Sequence, residues 1–201
     1  MRLFTALLAI VTFVLAGCVP SLHGIVDDDS SVMDGRLEGV WQRTFPHATN
    51  AKPHEQWKFT PRNDEQAYRL DYTEASGDTG EFIARLTKIG DHHYLDFFPV
   101  KPHKLDEINA EDLSGFYRHH LLPVHTFIRI EQWEPTLKLA FFDLRRMDEY
   151  LKEDPGAVAH ERTDVNGDLL LTASTAELRK FIARVDGEQE LFTVPIILER
   201  K

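Results

Sequence analysis

The sequence LEGVWQR, residues 37–43, carries the clearest indication of the fold. Its apolar and polar side chains alternate with a period of two, which is typical of a β-strand with one buried face. Leu37, Gly39 and Trp41 share that face. The stretch therefore predicts a strand, and it places the glycine and the tryptophan on the side turned toward a core.

Other parts of the chain have the same β-like composition, with β-branched and aromatic residues bounded by turn residues. Asn166-Gly167 is a typical two-residue hairpin turn between two of these runs. Short connections favour antiparallel neighbours. Besides residues 37–43, the predicted strands are residues 68–72, 81–89, 94–98, 124–131, 137–142, 160–163, 169–171 and 191–198.

Two helices are predicted among these strands. Asp143 can cap a helix over about residues 143–153, and Ser174 with Glu177 forms the capping box of another over about residues 175–185. The expected fold is mainly β, an antiparallel lipocalin-like barrel or strongly curved sheet with two helices. The alternative is an α+β arrangement in which an antiparallel sheet packs on the helices.

The barrel is favoured because Gly39-Val40-Trp41 resembles the G-x-W motif with which lipocalins and related calycin barrels begin. In that family, the glycine allows close backbone approach at the closed end of the barrel and the tryptophan plugs that end. An arginine from a late strand often lies over the tryptophan ring in a cation–π contact. Here Val194, Ile196 and Leu198 share the inward face of the last predicted strand, and Arg200 follows them on that face. The resemblance therefore implies that Arg200 packs over Trp41.

The N-terminus carries a second pattern. Arg2 is the only charged residue before Asp27, and the apolar segment that follows it suits a signal peptide and is short for a transmembrane helix. The segment ends in LAGC, and this tetrad resembles the lipobox of bacterial lipoproteins. The resemblance implies a signal peptide over residues 1–17 and cleavage before Cys18. It also implies a diacylglycerol on the Cys18 sulfur and a fatty acid such as palmitate on the new N-terminus.

This resemblance implies a location in the bacterial cell envelope, with attachment to the membrane through the lipid on Cys18. Because Val19 rather than aspartate follows the cysteine, it favours the periplasmic face of the outer membrane if the cell is Gram-negative. Residues 18–35 contain Pro, Gly, Ser and a run of aspartates, which favours a flexible tether. A single β-rich domain is then expected over residues 36–201.

Candidate catalytic groups are sparse. The chain has ten histidines, but none has zinc-site spacing such as H-E-x-x-H, and there is no G-x-S-x-G elbow or glycine-rich phosphate loop. Cys18 is the only cysteine, so acylation would leave no thiol nucleophile. No catalytic, cofactor-binding or metal-binding residue is therefore predicted. His125 lies in a strand-like run and is the one histidine with a candidate binding role.

The charge of the chain excludes one class of partner, because a formal net charge of −10 argues against nucleic acid. The function favoured is a membrane-anchored module that binds a small apolar ligand inside a barrel. The aromatic residues of the strands are expected to pack a core or line the barrel. One alternative is a structural or accessory envelope lipoprotein that binds another protein. The other is a hydrolase that uses His125 with an aspartate, although the sequence favours a protein that is not an enzyme.

Overall fold

The computed structural model describes residues 18–27, 29–44, 55–100, 122–162 and 167–201. These residues contain twelve strands and two α-helices. The strands are β1 (Pro20–Ser21), β2 (Ser31–Val32), β3 (Gly39–Arg43), β4 (Gln56–Arg62), β5 (Ala67–Thr73), β6 (Thr79–Ile89), β7 (His92–Pro99), β8 (His125–Gln132), β9 (Leu137–Phe141), β10 (His160–Arg162), β11 (Leu169–Leu171) and β12 (Ile196–Arg200). The helices are α1 (Leu144–Glu153) and α2 (Thr175–Val185).

Eight of the strands form a closed antiparallel barrel. From β3 to β9, each strand pairs with the next one along the chain. β12 pairs with both β9 and β3 and so completes the cylinder. Closure pairs the backbone of the strands that would otherwise form the two edges of the sheet. The predicted fold class, a mainly β antiparallel barrel with two helices, is confirmed.

The interior of the barrel is an apolar core made by alternate residues of its strands. Burying one such Leu, Ile or Phe side chain contributes about 1.5–3 kcal/mol relative to leaving it in water. The period of two therefore keeps each strand in register, because a slip of one residue would expose its whole apolar set. Interior side chains include Trp41, Phe59, Leu70, Leu86, Leu95, Ile128, Leu139 and Leu198.

A second core lies between the outer face of the barrel and the two helices. α1 begins after Asp143, whose carboxylate accepts a hydrogen bond from the backbone N–H of Arg146 at 3.0 Å. α2 begins with the capping box of Ser174 and Glu177. Both helix predictions are confirmed. The buried helix residues Met147, Leu151, Leu178, Phe181, Ile182 and Val185 belong to one cluster with Tyr94 and Phe127 of the barrel strands and with Phe142, which follows β9.

The last predicted strand differs from the structure. A 3-10 turn occupies Gln189–Leu191, and the strand itself is β12, Ile196–Arg200, rather than residues 191–198. Pro195 precedes β12 and has no N–H to donate to a sheet. The predicted inward position of Val194 is wrong, because that side chain is 89% exposed. The predicted turn at Asn166 lies outside the described residues, although β10 and β11 do pair antiparallel.

The flexible tether predicted for residues 18–35 is wrong in the residues that the structure describes. β1 lies between β8 and β11, and β2 pairs with β6. Val19 and Ile25 are buried in the outer core. The few apolar side chains of this polar segment pack on a surface formed by strands that are distant in sequence. Composition alone does not reveal such a surface. The described residues of this segment therefore pack on the domain that the sequence predicted over residues 36–201.

Candidate binding site

One end of the barrel is closed by the residues of the G-x-W motif. Trp41 is 2% exposed, and its indole N–H donates to the carbonyl of Leu37 at 2.9 Å. The guanidinium of Arg200 lies 4.4 Å from the centroid of the Trp41 ring and donates to the carbonyl of Glu38 at 2.6 Å. The structure thus brings Trp41 and Arg200 together across the β3–β12 pair, where the two residues are register partners.

Gly39 is required at this closed end for two reasons. Its φ is +113°, a backbone conformation that side chains other than glycine rarely adopt. A Cβ at this position would also lie 3.1 Å from Nη1 of Arg200. Gly39, Trp41 and Arg200 therefore form a single packing unit.

A second cation–π contact, which the sequence did not suggest, joins Arg36 to Trp133. The distance from the guanidinium carbon to the ring centroid is 4.4 Å.

A cavity of about 710 Å³ opens at the opposite end of the barrel. Its volume falls within the roughly 300–1,000 Å³ of small-molecule sites. The walls are mainly aromatic and aliphatic, and they come from the inward positions of seven barrel strands and the segment before β12. The apolar lining comprises Trp57, Leu70, Tyr72, Phe82, Phe97, Ile128, Phe141, Val194 and Ile196.

The polar groups of the cavity are concentrated at its rim. A carboxylate oxygen of Glu55 pairs with Arg43 at 2.9 Å, and the other accepts the indole N–H of Trp57 at 2.8 Å. Burial, together with the negative charges of Glu55 and Glu74, raises the pKa of Tyr72 to about 12. The Tyr72 hydroxyl is therefore protonated at neutral pH and available as a donor. These groups can orient one polar atom of a ligand that is otherwise apolar.

Cys18 lies at the rim of the same cavity. Burial raises the pKa of its thiol to about 11. The unmodified thiol would be protonated at neutral pH, and a protonated thiol is a poor nucleophile. The sequence singled out Cys18 as a lipid attachment site, and the structure places this residue next to the barrel cavity.

His125 lies on the outer face of β8, away from the cavity. Its Nδ1 is 2.6 Å from Oδ1 of the buried Asp96, and Oδ2 of Asp96 accepts the backbone N–H of Ile25 at 2.7 Å. A Cβ at Gly24 would lie 2.4 Å from that Oδ2. The Asp96–His125 pair therefore holds the segment around Gly24 and Ile25 against the barrel.

An aspartate–histidine pair can act as a base, but this one lacks a nucleophile among the described residues. The nearest candidate in register is Ser21, which pairs with His125 across β1 and β8. Its hydroxyl donates instead to the carbonyl of His23 at 2.8 Å. The contacts of His125 and Asp96 therefore support a structural role for His125, at the packing of the N-terminal segment on the barrel.

Another polar cluster joins the end of α2 to the barrel. Arg129 is 0% exposed, donates to the carbonyl of Asp186 at 2.6 Å, and lies 3.6 Å from the ring centroid of Phe192. The Asp186 carboxylate accepts the hydroxyl of Tyr94 at 2.6 Å and is 2.9 Å from Nδ1 of His92. Burial raises the pKa of Asp186, but these hydrogen bonds outweigh burial and leave it below its ordinary value.

The sequence did not reveal the contacts of Asp96, Asp186 or Arg43. For Asp96, however, the sequence around it does indicate that a contact exists. Asp96 interrupts the apolar run YLDFF, and a carboxylate inside a buried strand requires a partner. The partners of Asp186 are instead remote in sequence.

Within the described residues, no group of three or more His, Cys, Asp or Glu side chains has an arrangement that could hold a metal ion. No helix of this described part combines the length and the apolarity needed to span a bilayer. Comparisons of the chain with protein-family models, with curated proteins and with solved structures find no match.

Proposed function

We propose that this protein is a membrane-anchored bacterial lipoprotein whose barrel binds a small apolar ligand. The observation that carries the proposal is the cavity of about 710 Å³ at the open end of the barrel. A barrel with only a structural role is expected to have a filled interior, whereas this barrel opens into a cavity lined by Trp57, Phe97 and Phe141. The lipoprotein part of the proposal rests on the LAGC tetrad that ends at Cys18.

The lining of the cavity favours a neutral ligand. Two carboxylates, Glu55 and Glu74, lie at the rim with the guanidinium of Arg43, so the described rim has no excess positive charge. Arg43 and Glu55 already pair with each other. The rim carboxylates would repel an anionic head group, whereas a neutral group could accept a hydrogen bond from the Tyr72 hydroxyl. The proposed ligand is therefore an aromatic or acyl compound with one uncharged polar end.

The arrangement of Gly39, Trp41 and Arg200 gives further support, since it matches the contact expected from the lipocalin resemblance. A barrel closed at one end and open to an apolar cavity at the other is suited to hold a ligand away from water. The cavity favours this role over an accessory role without a ligand. The Asp96–His125 pair lies outside the cavity, so the hydrolase alternative gains no support from it.

Fluorescence titration with the neutral probe N-phenyl-1-naphthylamine tests ligand binding. Thr126 lines the cavity, so Thr126→Phe should fill part of it and weaken binding of the probe. Thr60→Phe is the matched control, because Thr60 is exposed on β4 and does not line the cavity. The expected result is saturable binding to the wild type and to Thr60→Phe, with a loss of about tenfold in affinity for Thr126→Phe, or ~1.4 kcal/mol. Equal affinities for the three proteins, or no binding at all, would contradict the proposal.

A further inference from the structure

We propose that the open end of the barrel lies against the lipid bilayer, so that the cavity exchanges its apolar ligand directly with the membrane. This inference rests on the proposed lipidation of Cys18, and it adds an orientation and a source for the ligand. Three observations on the described residues carry it: the position of Cys18, the exposed apolar side chains, and the charged groups at the closed end.

The first observation is the absence of a spacer between Cys18 and the folded domain. Cys18 lines the cavity rim, and the next residue, Val19, is buried. The strand β1 that follows is paired with β8 on one side and β11 on the other, and the N–H of Leu22 donates to the carbonyl of Leu171 at 2.9 Å. A lipid on the Cys18 sulfur would therefore be attached at the mouth itself. Its acyl chains could enter a bilayer only if the bilayer lies close to this end of the barrel.

The second observation concerns the exposed apolar side chains, two of which belong to segments that lead into strands at the same end. In the described part of the chain, the exposed large hydrophobic residues are Val32, Leu122 and Val194. Val194 is 89% exposed and borders the cavity, and Leu122 is 64% exposed just before β8, whose first residues lie at the mouth. Exposed apolar side chains at one end of a lipid-anchored domain are typical of contact with the membrane interface.

The third observation is the set of charged groups at the closed end. The closed end exposes Arg36, Glu38, Arg200 and Lys201. Charged groups of this kind are costly to place in the hydrocarbon region, so this end is suited to water. The closed end is therefore expected to point away from the membrane.

The open end also carries a charged turn, and its position is compatible with a barrel that is tilted relative to the bilayer. Glu74 and Asp78 are exposed on the turn between β5 and β6. The strands follow one another around the barrel in the order β3 to β9 and then β12. The β5–β6 turn is therefore diametrically opposite β9 and β12, whereas Cys18, Leu122 and Val194 lie near β8 and β12. The β8–β9–β12 side of the mouth would contact the bilayer, and the charged turn would stay in water.

The test uses the full chain, expressed in a bacterium with its own N-terminus and reconstituted into phosphatidylcholine vesicles that contain chain-brominated phosphatidylcholine. Bromine quenches tryptophan fluorescence at short range. Val194→Trp and Val32→Trp are a matched pair, because each replaces an exposed valine and the two lie at different places on the domain. Leu122→Trp provides a second position at the mouth.

The expected result is that the emission added by Val194→Trp and by Leu122→Trp is lost in brominated vesicles, while the emission added by Val32→Trp is retained. Retained emission at both mouth positions, or equal loss at Val32→Trp, would overturn the orientation. The mass of each reconstituted protein separates this failure from a failure of the proposed function. If Cys18 carries lipid and the quenching pattern is wrong, only the orientation fails; if Cys18 carries no lipid, the proposed anchor fails.

Discussion

At the scale of single residues, the closed end of the barrel depends on a contact between positions far apart in the chain. Arg200 covers the ring of Trp41, and the absence of a Cβ at Gly39 makes room for its guanidinium. The same guanidinium donates to the carbonyls of Glu38 and Arg36, at 2.6 Å and 2.5 Å. Arg200 thus joins the last strand to the chain segment that enters the first barrel strand.

Removal of this side chain should destabilise the barrel. Arg200→Ala is expected to lower the free energy of unfolding by about 1–2 kcal/mol, through the lost cation–π contact and the lost packing of the aliphatic stem. Urea denaturation followed by tryptophan fluorescence measures the difference. Arg146→Ala is a control, since Arg146 is exposed on α1 and remote from the barrel closure. An Arg200→Ala protein as stable as wild type would show that the contact contributes little.

Asp186 gives the fold a dependence on pH. Its folded-state pKa lies below the ordinary value, so its carboxylate stabilises the folded state at every pH above the unfolded-state pKa of about 3.9. This contribution is lost as the pH falls from there through the lower folded-state pKa.

Asp186→Asn is therefore expected to be less stable than the wild type at pH 7 and to approach it in stability near pH 3. Thermal unfolding as a function of pH measures this convergence. Glu153→Gln is the control, because it changes an exposed carboxylate at the end of α1 that is remote from Tyr94 and His92. A constant difference in stability for Asp186→Asn down to acid pH would contradict the assignment.

At the scale of elements, the sequence predicts best what is determined locally. Both helices follow their predicted ranges because Asp143 and Ser174 cap them with hydrogen bonds to residues three positions away. The alternation of LEGVWQR likewise lies within a single strand. β12 begins later than predicted because Pro195 stands before it, and β-branched residues around a proline mimic a strand in composition.

The segment at residues 18–35 could not be predicted in this way, since what orders it is remote in sequence. Ile25 is held by the carboxylate of Asp96, 71 residues away. The same limit applies to the binding site. The aromatic side chains of the cavity were expected in a core or a barrel lining, but which end of the barrel is closed depends on contacts between residues remote in sequence, such as Trp41 and Arg200.

Gly24 should be intolerant of a side chain because of this packing. Gly24→Ala would place a methyl group 2.4 Å from Oδ2 of Asp96, which is closer than two such atoms can pack. The segment would have to shift, and we expect a loss of about 1–3 kcal/mol in stability. Gly35→Ala is the matched control, because the nearest atom to a Cβ there is 4.0 Å away. Equal midpoints in chemical denaturation for the two variants would disprove the tight packing of this segment.

At the scale of the whole molecule, the barrel has two unlike ends. One is closed by Trp41 and Arg200 and exposes charged groups, and the other opens into an apolar cavity that Cys18 borders. The helices pack on the outer face of the barrel and leave the interior of the open end to the cavity. This difference between the ends connects the two parts of the proposed function, because the proposed site of lipid attachment and the proposed site of ligand binding are at the same end.

Native mass spectrometry of the full chain extracted from bacterial membranes tests the proposed lipid anchor and the proposed ligand together. We expect a polypeptide that begins at Cys18, carries the mass of a diacylglycerol and an acyl chain, and releases one small apolar ligand on collisional activation. Cys18→Ser is the control and should lack the covalent lipid mass. A wild-type protein with an unmodified Cys18 and no ligand in its cavity would contradict the account.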